Sequence, residues 1–122
     1  MQTALNRILL YVKDIERTCA FYQRHFGFTA VHDTDDRIVE LFPPHGGAIL
    51  MLHQAAKGVK AGQATVKLVF DVEDVEAFKA HCKAEGLTFG ETHQASGYSF
   101  ANAKDPDGNS VSISSRGFRA TR

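Results

Sequence analysis

A repeat of about sixty residues limits what this chain can fold into more than any single motif does. The stretch "LYVKDIERTCAFYQRHFGF" (10–28) is answered by "FDVEDVEAFKAHCKAEG" (70–86). Val12, Asp14, Glu16 and Ala20 recur as Val72, Asp74, Glu76 and Ala80, each displaced by 60, and Ile15 recurs as Val75. Self-similarity at such a period is the mark of a duplicated unit.

Both copies follow one order. Residues 4–12 alternate and are rich in branched side chains, which predicts a strand. Asp14 suits a helix N-cap. Ile15, Cys19, Tyr22 and Phe26 follow at helical spacing, and Gly27 falls just past the helix end. Strand-like runs cover 28–33, 37–42 and 48–54, and a polar, glycine-containing linker covers 55–64. A strand at 65–72, the cap Asp74, the stripe Val75, Phe78 and Cys82, the stop Gly86 and strands at 87–92, 98–103 and 109–115 then repeat the pattern. The expected fold is a single α+β domain of two βαβββ modules (4–54 and 65–115) with a tail at 116–122.

The turns before the last strands check the register. "PPHGG" (43–47) precedes one and "DPDG" (105–108) the other, so Gly47 corresponds to Gly108 and Met51 to Ser112. Proline pre-sets φ in the second turn and Gly108 is free to take positive φ. Beyond it Val111 and Ile113 alternate with Ser110, Ser112 and Ser114. The serines are expected on one face, toward a ligand space or water, with the valine and isoleucine under a helix.

Fourteen basic and fourteen acidic residues cancel, which gives no reason to expect nucleic acid or an anionic membrane as partner. The chain has no run of 18 apolar residues. Its first residues lack a signal-peptide pattern, so a cytoplasmic location is expected. Cys19 and Cys82 have no CxxC spacing and are expected as two buried thiols.

With those three motifs in that order, the chain resembles the vicinal oxygen chelate superfamily, which includes glyoxalase I, bleomycin-resistance proteins, fosfomycin-resistance enzymes and extradiol dioxygenases. The resemblance implies a cupped, incompletely closed eight-stranded sheet with helices outside, and a homodimer. Its metalloenzymes hold a divalent ion with His, Glu or Gln from the first and last strands of each module. Carried over by distance to the helix cap and the turn glycine, those positions are Arg7, Met51, Lys67 and Ser112. Arginine and protonated lysine have no lone pair to give. Methionine sulfur is soft, and a serine hydroxyl replaces a carboxylate poorly. A fixed cation ~5 Å from a divalent ion costs roughly 5–7 kcal/mol at an effective dielectric of ~20. No metal and no cofactor are therefore expected.

Arg7 and Lys67 have two readings: recognition of a carboxylate or phosphate, or neutralisation by Glu40, Asp71 or Glu91. Leu5, Leu9, Tyr11, Ile49, Met51 and Val69 share the same parity and form either the apolar wall of a small-molecule pocket or ordinary core and dimer contact. His53, two residues after Met51, is a general base, a ligand contact or an exposed histidine. Tyr98, Ser99 and Asn102 lie on or beside the seventh strand, and the sequence does not choose among them. No histidine spacing suits zinc, and no partner set suits covalent catalysis. The expected function is metal-independent binding of a small molecule, anionic if the two cations recognise it, by Arg7, Lys67, Ser112, Met51, His53, Leu9 and Tyr11. The alternative is a glyoxalase-type isomerase or lyase, or a dioxygenase, with a displaced metal site including His53 and Glu40.

Overall fold

The computed structural model describes residues 5–119. The expected module start at residue 4 and the end of the tail at 120–122 lie outside that range. The chain divides into two units, Met1–Ala61 and Gly62–Arg122. The expected α+β fold is present: eight strands in two four-stranded sheets that do not close into a barrel, with one α-helix per unit.

In the first unit, β1 (Arg7–Val12) leads into α1 (Ile15–Phe26), followed by β2 (Thr29–Val31), β3 (Ile38–Phe42) and β4 (Ile49–Gln54). The sheet order is β1-β4-β3-β2, with β1 parallel to β4 and the other pairs antiparallel. The caps are as expected: Asp14 Oδ1 accepts from the Arg17 amide at 3.1 Å, and Gly27, at φ 74°, ends the helix. A Cβ on Gly27 would also stand 3.4 Å from the Pro44 ring. Alternation then divides the sheet's two sides. Val12, Val39, Leu41, Leu50 and Leu52 are buried on one side with Cys19 and Tyr22 of α1, and α1 contacts β2, β3 and β4. Burying each aliphatic chain stabilises the unit by about 1.5–3 kcal/mol before ordering entropy is deducted.

The second unit repeats this arrangement with β5 (Lys67–Asp71), α2 (Val75–Ala84), β6 (His93–Ala95), β7 (Tyr98–Lys104) and β8 (Ser110–Ser114) in the order β5-β8-β7-β6. Asp74 Oδ1 accepts from the Ala77 amide at 3.0 Å, and Gly86 takes φ 95° just past the helix. Leu68, Val111, Ile113 and Ala101 are buried on the same side of the sheet, and Val75 and Cys82 of α2 are buried as well. The hairpin before β8 is held by Asp105, whose carboxylate accepts from the amides of Asp107 and Asn109 and from Asn109 Nδ2 at 2.8–3.0 Å. Gly108 takes the positive φ, 83°.

The sixth strand differs from expectation. It runs over 93–95, not 87–92. Gly97, at φ 77°, makes a two-residue turn with Ser96, so pairing must begin at Ala95↔Tyr98 and run back from there. Residues 87–92 stay outside the ladder, with Phe89 buried and Gly90 donating to the Asn102 carbonyl. Part of the expected tail is also ordered, as a short 3-10 helix at Arg116–Phe118.

A candidate ligand-binding face in each unit

The side of each sheet not taken up by the buried core carries the predicted site residues. In the first unit Leu9 pairs with Met51 and Met51 with Glu40, while Tyr11 pairs with His53. In the second, Val69 pairs with Ser112 and Ser112 with Asn102. The two ladders are thus equivalent, and the correspondence of Met51 with Ser112 and of Arg7 with Lys67 follows from the register. Glu40 and Asn102 occupy matching places, an equivalence the turn glycines alone did not reveal.

The first unit's face is mainly apolar. Leu9, Ile38, Phe42, Ile49 and Met51 are half-buried on it, and Tyr11 is 61% exposed with its ring 5.5 Å from that of His53. Leu5 does not belong to this wall: it precedes β1 and is 85% exposed. His53 Nδ1 lies 2.9 Å from the Gln54 carbonyl. A carbonyl can only accept, so Nδ1 carries the hydrogen and the neutral ring keeps its lone pair on Nε2.

Arg7 does not stand unopposed. Its Nη2 lies 3.6 Å from Glu40 Oε2, with the two side chains 49% and 30% exposed. Of the three acids that sequence alone left open, Glu40 makes the contact. Lys67 has no carboxylate partner among the described residues; its Nζ sits 5.8 Å above the centre of the Phe100 ring.

The second unit's face is more polar, and its serines behave differently from expectation. Their parity is right, but Ser112 and Ser114 are buried, and each of the three hydroxyl oxygens already has a partner within the protein. Ser112 is buried and donates to the Ala101 carbonyl at 3.1 Å. Ser110 Oγ accepts from Lys104 Nζ at 2.8 Å, and Ser114 Oγ from the Arg116 amide at 3.1 Å. A hydroxyl between strands finds a neighbouring backbone group more readily than solvent. The polar atom left over is Asn102 Oδ1, which is buried and has no hydrogen-bond partner. Val69, by contrast, is 57% exposed. Tyr98 and Ser99 are both engaged, Tyr98 through its hydroxyl with Arg116 and Ser99 through its amide with Ser115 Oγ.

Neither face suits a divalent metal. Arg7 is a cation held by Glu40, Lys67 lies over a ring, Met51 offers a thioether and the Ser112 proton is already donated. Glu40 and His53 gain no third ligand: among the described residues no three His, Cys, Asp or Glu side chains are gathered. In the groove along α2, lined by Glu76, Lys79, Ala80, Lys83, Thr88 and Phe89, Thr92 bonds both Lys79 and Glu76 and so links those two charges to each other.

Two duplicated βαβββ units with such faces define a small α+β class, and the chain belongs to the glyoxalase/bleomycin resistance protein/dioxygenase superfamily, whose model matches residues 4–113. Among solved structures it is similar to UcmS2, at 22% identity and TM-score 0.79 over 94% of this chain and 99% of that one. It is similar to TnmS3, an antibiotic binding protein from Streptomyces sp. CB03234, at 22% identity and TM-score 0.75 over 92% and 94%. It is also similar to lactoylglutathione lyase from Agrobacterium tumefaciens, at 20% identity and TM-score 0.73 over the whole of both chains. These likenesses show the fold. No curated protein matches the chain. Among the described residues no helix is long and apolar enough to cross a membrane.

Proposed function

We propose that this protein binds a small molecule without a metal ion, in the manner of the bleomycin-resistance members of its superfamily. The observation that carries the reading is the chemistry of the four positions equivalent to metal ligands: two cations, a thioether and a hydroxyl whose proton is already donated. What such residues can do is shape and orient. Leu9, Tyr11 and Met51 offer apolar surface, His53 Nε2 and the Asn102 carboxamide offer hydrogen bonds, and Lys67 offers a charge for an acidic group. Arg7 contributes through its pair with Glu40, which presents a dipole in place of a bare cation. The antibiotic binding named for TnmS3 is the kind of role this chemistry fits. A reducing cytoplasmic setting suits its two free thiols.

Native mass spectrometry and elemental analysis of protein purified without chelator test the reading. A co-purified organic mass without stoichiometric metal is expected, and Met51→Lys removes that mass by placing a charge in the apolar surface. One tightly held Ni, Zn, Fe or Mn per chain would overturn it.

A further inference from the structure

We propose that Tyr98, Arg116 and Arg119 form an oxyanion-binding site in the second unit, separate from the proposed small-molecule face and not dependent on it. The Arg116 guanidinium lies 5.1 Å and the Arg119 guanidinium 5.6 Å from the centre of one ring, that of Tyr98. Arg116 Nη1 also donates to the Tyr98 hydroxyl at 3.0 Å. The ring and the phenol hold the two cations in place, but they are neutral and leave both charges standing.

No carboxylate of the described residues cancels them. Among the described residues neither arginine has an ion pair within 4.0 Å, whereas Arg7 and Lys79 each have one. The acid packed against this turn is Asp71, whose carboxylate lies where a Cβ on Gly117 would come within 3.2–3.4 Å, and it too makes no ion pair with either arginine. Arg119 Nε is moreover buried and has no hydrogen-bond partner. A guanidinium N–H removed from water without an acceptor is costly, and a charged acceptor recovers the most. The group that satisfies all these features is a small oxyanion, a phosphate or a carboxylate. It would lie beside the Tyr98 hydroxyl against the terminal N–H groups of Arg116 and Arg119, and it would meet the buried Nε–H of Arg119 only if that side chain shifts outward as the anion binds. Two arginines suit this better than lysines would, because stacking on the ring fixes the plane in which their N–H groups point.

The test uses the full chain, 15N-labelled, with inorganic phosphate and sodium acetate as probes at ionic strength held constant with sodium chloride. The arginine Nε–H resonances are followed by NMR. Saturable shifts at Arg119 and Arg116 with phosphate or with acetate are expected, and the tighter probe identifies the class of anion. Arg119→Gln and Arg116→Gln should each weaken binding at least fivefold, Tyr98→Phe should weaken it less, and Lys57→Gln in the linker should leave it unchanged. The amide spectrum of each variant shows whether the fold is kept. Shifts that do not saturate with either probe, or affinities equal in the wild type and both arginine variants, would overturn the site.

Discussion

Arg7 and Glu40 meet with their side chains still partly in water, and that decides what their contact is worth. Exposed ion pairs stabilise by about 0–1 kcal/mol. Arg7→Ala is therefore expected to lower unfolding free energy by less than about 1 kcal/mol in urea titration; a loss of 3 kcal/mol or more would mark a pair buried beyond what its exposure indicates. The cysteines stand at the other extreme, at 2% and 0% exposure. Burial, with the Glu16 charge adding to it, pushes the Cys19 thiol up to about 11, and burial raises Cys82 as well. Iodoacetamide at pH 8.5 should modify neither thiol in the native protein and both in urea; rapid native alkylation would contradict the packing. The protonated Cys19 thiol favours the fold fully below pH 9.0, its ordinary value, and that contribution is lost as pH rises toward about 11.

Among elements, the helices were the most legible, because caps and stripes are local. Asp14 and Asp74 each accept from the third residue beyond, as an N-cap does. Asp14→Ala and Asp74→Ala should each cost about 1 kcal/mol, checked by chemical denaturation with the asparagine variants as near-neutral controls. The sixth strand was not legible at its true place. Leu87 and Phe89 alternate like strand residues, but the Ser96-Gly97 turn fixes which residues pair, and Phe89 is buried outside the ladder. The partner of Arg7 was hidden for a related reason. Arg7 is on β1 and Glu40 on β3, with β4 between them, and that order is set by pairing, not by chain sequence. Parity put the serines on one face, while Asn102 was left undistinguished from Tyr98 and Ser99, and alternation says nothing about whether a polar group finds a partner. Ser112 does, and Asn102 Oδ1 does not.

At the scale of the molecule, each sheet ends in edge strands, β1 and β2 in the first unit and β5 and β6 in the second. Unpaired edges and half-exposed apolar side chains favour association, so the protein is expected to be a homodimer. Light scattering at tens of micromolar should return twice the mass of the 13.4 kDa chain, and a monomeric mass would refute it. The duplication carries a consequence of its own. Leu9 and Val69 are 60 positions apart, Glu40 and Asn102 are 62 apart, and Met51 and Ser112 are 61 apart, yet each set pairs straight across its own sheet. Small gains and losses of length have gathered in the bends while the rungs stayed level. A residue's address in such a unit is the rung it stands on, and counting forward by 60 would match Glu40 with Phe100, which stands on the same side of the sheet as Asn102 but on the wrong rung.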